Sequence, residues 1–180
     1  GVTLMFTALT GCGNKDAKDT LSTEQQSATE VIESTENVTE GASEENPVTF
    51  TDALGRDVTV TSHDRVAAMI GSFADVWLLS GGELVATAND SWESLDLDLG
   101  DDVVNLGSIQ EPNTEALLAT QPDLVIASTN TTSNVEMENM LTEAGVTVAY
   151  FDVSDFDAYL QMLDICTDIT GRKDLYEKNG

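Results

Sequence analysis

The chain is poor in positive charge. Its 180 residues carry 7 Lys and Arg against 33 Asp and Glu, a formal net charge of -26 with a pI near 4.1. A nucleic-acid surface needs basic groups opposite phosphates, and seven scattered ones supply none. A polybasic patch for an anionic leaflet fails for the same reason. Cysteine is scarce as well: Cys12 and Cys166 allow neither a disulfide-dense scaffold nor a four-cysteine zinc site. The one histidine, His63, sits in the polar turn Thr61-Ser62-His63-Asp64 and reads as a turn residue, not a catalytic one. Glycine-rich phosphate loops are missing, because Gly81-Gly82 lacks the spacing and any following Lys-Ser or Lys-Thr. With no nucleophile–base pair and no metal cluster in the pattern, the expectation is a protein that is not an enzyme.

What is present begins with a short apolar run. Val2 to Leu9 are mostly apolar and uncharged, too few to cross a bilayer core of ~30 Å. A buried strand is one reading; the tail of a signal peptide is the better one, because Leu9-Thr10-Gly11-Cys12-Gly13 follows directly. That stretch resembles a bacterial lipobox. Residues 1–12 are therefore expected to be the remnant of a lipoprotein signal peptide, with Cys12 as the lipidation site. The bland alternative is a small buried cysteine. Lipid chains contribute roughly 0.8 kcal/mol per buried CH₂, so two or three hold a protein firmly on a membrane. From Gly13 to Asn46 the chain is Ser, Thr, Glu, Asn, Ala and Gly with almost no aromatic residue. Low hydrophobicity with like charge cannot offset ordering entropy, and residues 13–46 read as a disordered acidic linker.

The folded body opens near Pro47. Val48 to Thr51 and Val58 to Val60 flank a polar turn and predict an antiparallel hairpin. Arg65 to Ile70, Glu83 to Thr87, Asp123 to Ala127 and Val146 to Tyr150 are buried-strand candidates. Gly71-Ser72 reads as a turn, with a helix over Phe73 to Leu79 that Gly81-Gly82 stops. Asn113 caps a helix over Thr114 to Thr120, and Pro122 closes it. A helix from Ser133 or Asn134 to Ala144 and another over Asp155 to Ile169 follow, and Arg172 begins a last one. Cys166 falls on the apolar face of the second of these. Strand and helix alternating through short turns predicts an α/β fold with a mainly parallel sheet.

Four segments in that order carry a resemblance. They are Thr51-Asp52-Ala53-Leu54-Gly55-Arg56-Asp57-Val58-Thr59-Val60; Asn105-Leu106-Gly107 leading to Glu111-Pro112-Asn113-Thr114-Glu115; Gln121-Pro122-Asp123-Leu124-Val125-Ile126-Ala127; and Leu141-Thr142-Glu143-Ala144-Gly145-Val146 with Ile169-Thr170-Gly171-Arg172. Residues 48–180 thereby resemble the amino-terminal lobe of the iron-complex and cobalamin family of ABC-transporter substrate-binding proteins. The resemblance implies a parallel-sheet, three-layer lobe of a two-lobed periplasmic-binding-protein-like fold, with the second lobe absent from the sequence. It places that lobe at 47–171 and the start of an interlobe helix, left to fray or project, at 172–180. It also implies a ferric siderophore, haem or cobalamin as ligand, no intrinsic cofactor, and an ABC permease and ATPase as partners. With the lipobox, the expected location is the extracellular face of the cytoplasmic membrane in a Gram-positive-type bacterium. A lipid-anchored surface or adhesion protein with an acidic α/β domain is the competing class.

Open parallel sheets bind ligands beyond the carboxyl ends of their strands. That rule selects Ser72 and Phe73, Ser91 and Trp92, Ser108 and Gln110, Ser128, Thr129 and Asn130, and Phe151 as ligand-binding candidates, in regions where the resemblance also puts ligand-facing loops. Trp92, in a polar loop, either covers a flat ligand face or plugs its loop onto the domain. In the resembled family an acidic residue on each lobe pairs with permease arginines, and Glu93, Glu111 and Glu115 are the candidates. The run Asp96 to Asp102 has Gly at the wrong position for an EF-hand and reads as a solvated loop, with no metal site expected. None of Arg56, Arg65, Arg172, Lys173 or Lys178 lies in a strand-end loop, which favours haem, cobalamin or a hydroxamate complex over an anionic catecholate.

Overall fold

Two β-rich runs open the described part of the protein, which in this computed structural model comprises residues 47–180. The expected lipidation site Cys12, the signal-peptide remnant 1–12 and the linker 13–46 lie outside the described residues. Strands β1 (Val48–Thr51) and β2 (Asp57–Val60) pair antiparallel, Val48 opposite Val60 and Thr51 opposite Asp57. The Asp52 carboxylate accepts the N–H groups of Leu54 and Arg56, each at 3.0 Å, and so closes the turn with its own side chain. Gly55 takes the left-handed conformation this turn requires, φ 76°.

The chain then alternates: β3 (Val66–Ala68), α1 (Gly71–Leu79), β4 (Ala86–Thr87), α2 (Asp90–Glu93), β5 (Val104–Asn105), α3 (Thr114–Ala119), β6 (Leu124–Ser128), α4 (Thr132–Glu136), α5 (Glu138–Glu143), β7 (Thr147–Phe151), α6 (Phe156–Ile169) and α7 (Lys173–Asn179). Strands β3 to β7 form one parallel sheet in the order β5-β4-β3-β6-β7. Side chains alternate across it. Val66, Ala68, Leu124, Ile126, Ala149 and Phe151 meet Trp77 of α1, Met162 and Cys166 of α6, and the hairpin valines Val58 and Val60. Ala67, Val125, Ala127, Val148 and Tyr150 meet Leu117 of α3, Met137 and Leu141. Both faces are thus covered by helices, which is why the strands read as continuous apolar runs. The lobe has three layers.

Helix ends follow local chemistry. Asn113 accepts the Ala116 N–H at 2.9 Å and Asp155 accepts the Ala158 N–H at 2.8 Å, capping α3 and α6. Gln121, with φ 49°, ends α3 in the left-handed conformation just before Pro122. Three expected elements differ. The expected strand Glu83 to Thr87 shrinks to β4, because the Glu83 carbonyl is bound by the Trp77 indole N–H at 2.8 Å. The expected turn at Gly71-Ser72 is the first turn of α1, whose Gly71 N–H donates to Asp90 at 2.8 Å. The expected single helix to Ala144 breaks at Met137, whose side chain is held in the core between α4 and α5.

The last helix, α7, buries no residue. It is nonetheless tethered: the Tyr159 hydroxyl donates to the Asn179 carbonyl at 3.0 Å, and the Asn179 amide donates to the Leu79 carbonyl at 2.9 Å. Of the two expected outcomes, fraying or projection, projection does not occur: the helix lies against the lobe.

Candidate functional site

The strand order sets where a ligand can enter. From β3 the chain moves outward to β4 and β5, then returns to the other side of β3 for β6 and β7. The loops leaving β3 and β6 therefore diverge, and a crevice opens between them at the carboxyl edge. A cleft of about 410 Å³ occupies that place. Ile70, Ser72, Phe73, Asp75 and Val76 line it from the β3 side; Ser128, Asn130 and Thr131 line it from the β6 side. Val153 and Tyr159, after β7, close the third side. A second recess of about 350 Å³ shares Asn130 and Thr131 and adds Gln110, Thr132, Ser133 and Glu136.

Of the expected ligand residues, Ser72, Phe73, Ser128 and Asn130 are brought together in the first cleft and Gln110 with Asn130 in the second. The Ser108 hydroxyl bonds the Gln110 side chain at 3.1 Å and so holds it. Thr129 donates its N–H to the Phe151 carbonyl at 3.1 Å. The Phe151 ring is core, 5.9 Å from Phe50 and 6.2 Å from Phe73. Ser91 is fully buried and shares its hydroxyl with Thr87 at 2.9 Å, so it turns inward from any ligand. Trp92 is half-buried on α2 and lines neither cleft. Glu93, Glu111 and Glu115 are exposed. Asp75, Thr131, Thr132, Ser133, Glu136, Val153 and Tyr159 were not selected by the strand-end rule. Asp75 and Tyr159 lie inside helices, and Tyr159 reads in sequence as one step of an apolar helical face.

The β6 side is held by a relay of contacts. Asn134, fully buried, accepts the Ser128 N–H at 3.0 Å, and the Tyr150 hydroxyl donates to the Asn134 carbonyl at 2.6 Å. Burial pushes the Tyr150 phenol up to about 12, so it stays a donor. The Arg56 guanidinium lies 5.0 Å from the centre of the Tyr150 ring and donates to Asp52 and Glu138, each at 2.6 Å. The Ser133 hydroxyl donates to the Ile109 carbonyl at 2.7 Å and joins the two loops of the second recess.

Cations are spent elsewhere. Arg65 donates to the Thr120 carbonyl, Arg172 pairs with Asp174, and Lys173 pairs with Asp164 and Asp168. No Lys or Arg lines either cleft. Among the described residues no group of three or more His, Cys, Asp or Glu is placed to hold a metal, and no helix is long and apolar enough to cross a membrane. Cys166 is buried on α6, and burial pushes its thiol up to about 12. His63 is half-buried, edge-on to Trp77 at 6.0 Å.

Comparison with known proteins places this geometry. A family model described as periplasmic binding protein matches residues 66–179. Among solved structures, the siderophore binding protein BauB, bound to a complex between two molecules of acinetobactin and ferric iron, superposes with TM-score 0.61 at 20% identity, covering 74% of this chain and 49% of that one. Staphylococcus aureus SirA complexed with staphyloferrin B gives TM-score 0.58 at 19% identity, over 73% and 44% of the two chains. The heme binding protein HmuT gives 0.56 at 27% identity, over 78% and 46%. The chain spans about half the length of these proteins. No curated protein matches it by sequence.

Proposed function

The chain belongs to the periplasmic binding protein family, and from that premise we propose that it forms the amino-terminal lobe of an extracytoplasmic solute-binding protein. Its solute is an iron complex, siderophore or haem, or cobalamin, delivered to an ABC permease and ATPase. The observation that carries this reading is the cleft at the point where the strand order reverses, lined by hydroxyl, amide, aromatic and aliphatic groups and one carboxylate, Asp75. Such groups grip a preformed chelate without reacting with it. One lobe supplies one wall, and a ligand is enclosed only when a second wall covers its other face. Glu93, Glu111 and Glu115, all exposed, are the residues offered to the permease, and Cys12 is the lipid anchor that keeps the lobe at the outer face of the membrane.

Calorimetric titration with hemin, cobalamin and ferric siderophores tests the reading. A chain extended by a second lobe is expected to bind one class at micromolar concentration or tighter, and the 180-residue chain far more weakly. Binding of none of them overturns the function, and tight stoichiometric binding by this chain overturns the one-wall geometry. Trp92→Ala separates its two readings: a ligand cover costs about 1 kcal/mol of affinity, roughly fivefold, whereas a plug lowers the melting temperature instead. For the anchor, fatty-acid labelling that is equal in wild type and Cys12→Ser would remove Cys12 from its role.

A further inference from the structure

The walls of the cleft carry charge of one sign only. Asp75 lines it from α1, Glu136 lines the adjoining recess, and Asp152 is held at the carboxyl edge by the Asn130 amide at 2.7 Å. Every Lys and Arg of the described lobe lies outside both clefts. The aromatic surface points the same way. Phe156 is 64% exposed, more than any other large apolar side chain among the described residues. Its ring stacks on Tyr159, centroids 5.8 Å apart and planes 22° from parallel. Tyr159 lines the cleft, and its hydroxyl is committed to the Asn179 carbonyl, which fixes the ring. Asp75 and Tyr159 line the same cleft, and burial, with the Asp75 charge behind it, pushes the Tyr159 phenol up. Aromatic faces attract cations through their quadrupole, and a carboxylate beside them adds a formal charge.

We infer that this cleft selects a chelate of positive or zero net charge, a ferric trihydroxamate in chemical class, with its cationic or apolar edge against Asp75 and the Phe156–Tyr159 pair. The inference rests on the proposed reading of the cleft as a chelate site. A tris-catecholate complex carries several negative charges and would be stripped of water against carboxylates with no cation to receive it. Its exclusion follows from the same wall that admits the trihydroxamate.

Amide chemical shifts of the 180-residue chain detect even millimolar binding, and gallium replaces ferric iron to avoid paramagnetic broadening. The probes are the gallium complexes of desferrioxamine B, a cation, and of enterobactin, a polyanion. The cation is expected to shift the amides of Asp75, Asn130 and Tyr159, and the polyanion to leave them in place. Asp75→Asn is expected to shrink the preference by about five- to tenfold, the effect of one partly solvated charge at close range. Phe156→Ala, at a mostly exposed position that does not threaten the fold, is expected to weaken the cation by about threefold. Polyanion binding to these amides at equal or lower concentration, or an unchanged preference in Asp75→Asn, overturns the charge selection and leaves the chelate site standing. If neither complex moves the cleft amides, the charge selection falls, while the chelate reading stands or falls on the titration of the chain extended by a second lobe.

Discussion

Arg56 ties the hairpin turn to both α5 and β7. It donates to both Asp52 and Glu138 and to the Val148 carbonyl at 3.0 Å, while covering the Tyr150 ring. Its partner Asp52 has a fully covered side chain. Burial alone would push the Asp52 carboxyl up; hydrogen bonds and charge from Arg56 outweigh it and hold the group below its ordinary value of 3.8. The folded state therefore binds that proton more weakly than the unfolded chain. The contribution is fully present above the unfolded value and is lost as pH falls through the lower folded one. Asp52→Asn is expected to cost about 2 kcal/mol at neutral pH, less than a fully buried pair because Arg56 is partly exposed and keeps Glu138. Urea melts from pH 6 down to about pH 2 should show the gap between wild type and variant closing at the acid end; a gap independent of pH would remove the ion pair as its cause. Sterics decide a second residue. A Cβ at Gly82 would overlap the Trp77 indole ring, which is fully buried and pinned by its N–H. Gly82→Ala is expected to cost about 1–3 kcal/mol as overpacking. At Gly55 nothing lies within 4 Å of an added Cβ, and only its positive φ penalises alanine, by about 1–2 kcal/mol. Thermal melts showing Gly82→Ala unaltered would mean that the indole moves freely.

At the scale of elements, sequence signals worked where one local interaction decides. Asn113 caps the helix it announces, and the alternating hairpin runs pair as expected; Asp155, expected as the first helical residue, caps α6 instead. Four strands of the parallel sheet were legible because strands buried on both faces leave apolar runs, whereas β5, two residues long with Asn105 exposed, leaves none; the three layers came from the family resemblance. What local pattern missed was settled at a distance: Met137 interrupts a helix through the core it plugs, and Glu83 leaves the ladder to hold an indole six residues back. The cleft divides the same way. Ser72, Ser128, Asn130 and Gln110 were reachable from strand ends, whereas Asp75 and Tyr159 face the cleft from helices whose spacing says only which side is apolar. Helix α7 gives an element-scale prediction. With no buried residue, it is held by polar contacts near its two ends: Lys173 pairs with Asp164 and Asp168 of α6, and Asn179 bonds Tyr159 and Leu79. Tyr159→Phe removes the hydroxyl and keeps the ring, so amide exchange in α7 should speed up by about fivefold, one hydrogen bond of roughly 1 kcal/mol, while α6 stays unchanged. Equal exchange in both proteins would assign the tether to the Asn179–Leu79 bond and the Lys173 pairs instead.

On the scale of the whole molecule, repulsion dominates the charge pattern. Residues 47–180 hold 24 acidic and 5 basic side chains. Folding draws these like charges together, and the compact state bears the cost. Salt should relieve it, because the screening length falls from ~30 Å at 0.01 M to ~3 Å at 1 M. Opposing that gain, salt also weakens favourable pairs, but among the described residues these are few: Arg172 with Asp174 and Lys173 with Asp164 and Asp168 are all about half exposed, and Arg56 with Glu138 about a third. Such pairs are worth a few tenths of a kcal/mol each. The Asp52–Arg56 pair is covered on its acidic side and screened less. Repulsion relief therefore wins, and sodium chloride taken from about 0.01 M to about 0.5 M should raise the melting temperature by several degrees, the shift that ~1–2 kcal/mol produces in a lobe of this size. The rise should flatten towards the upper concentration, as screening does, whereas a preferential-exclusion effect would keep climbing. A melting temperature that stays level or falls with salt would show that the acidic surface is already spaced to avoid itself, and that the lobe gains nothing by shedding its charge.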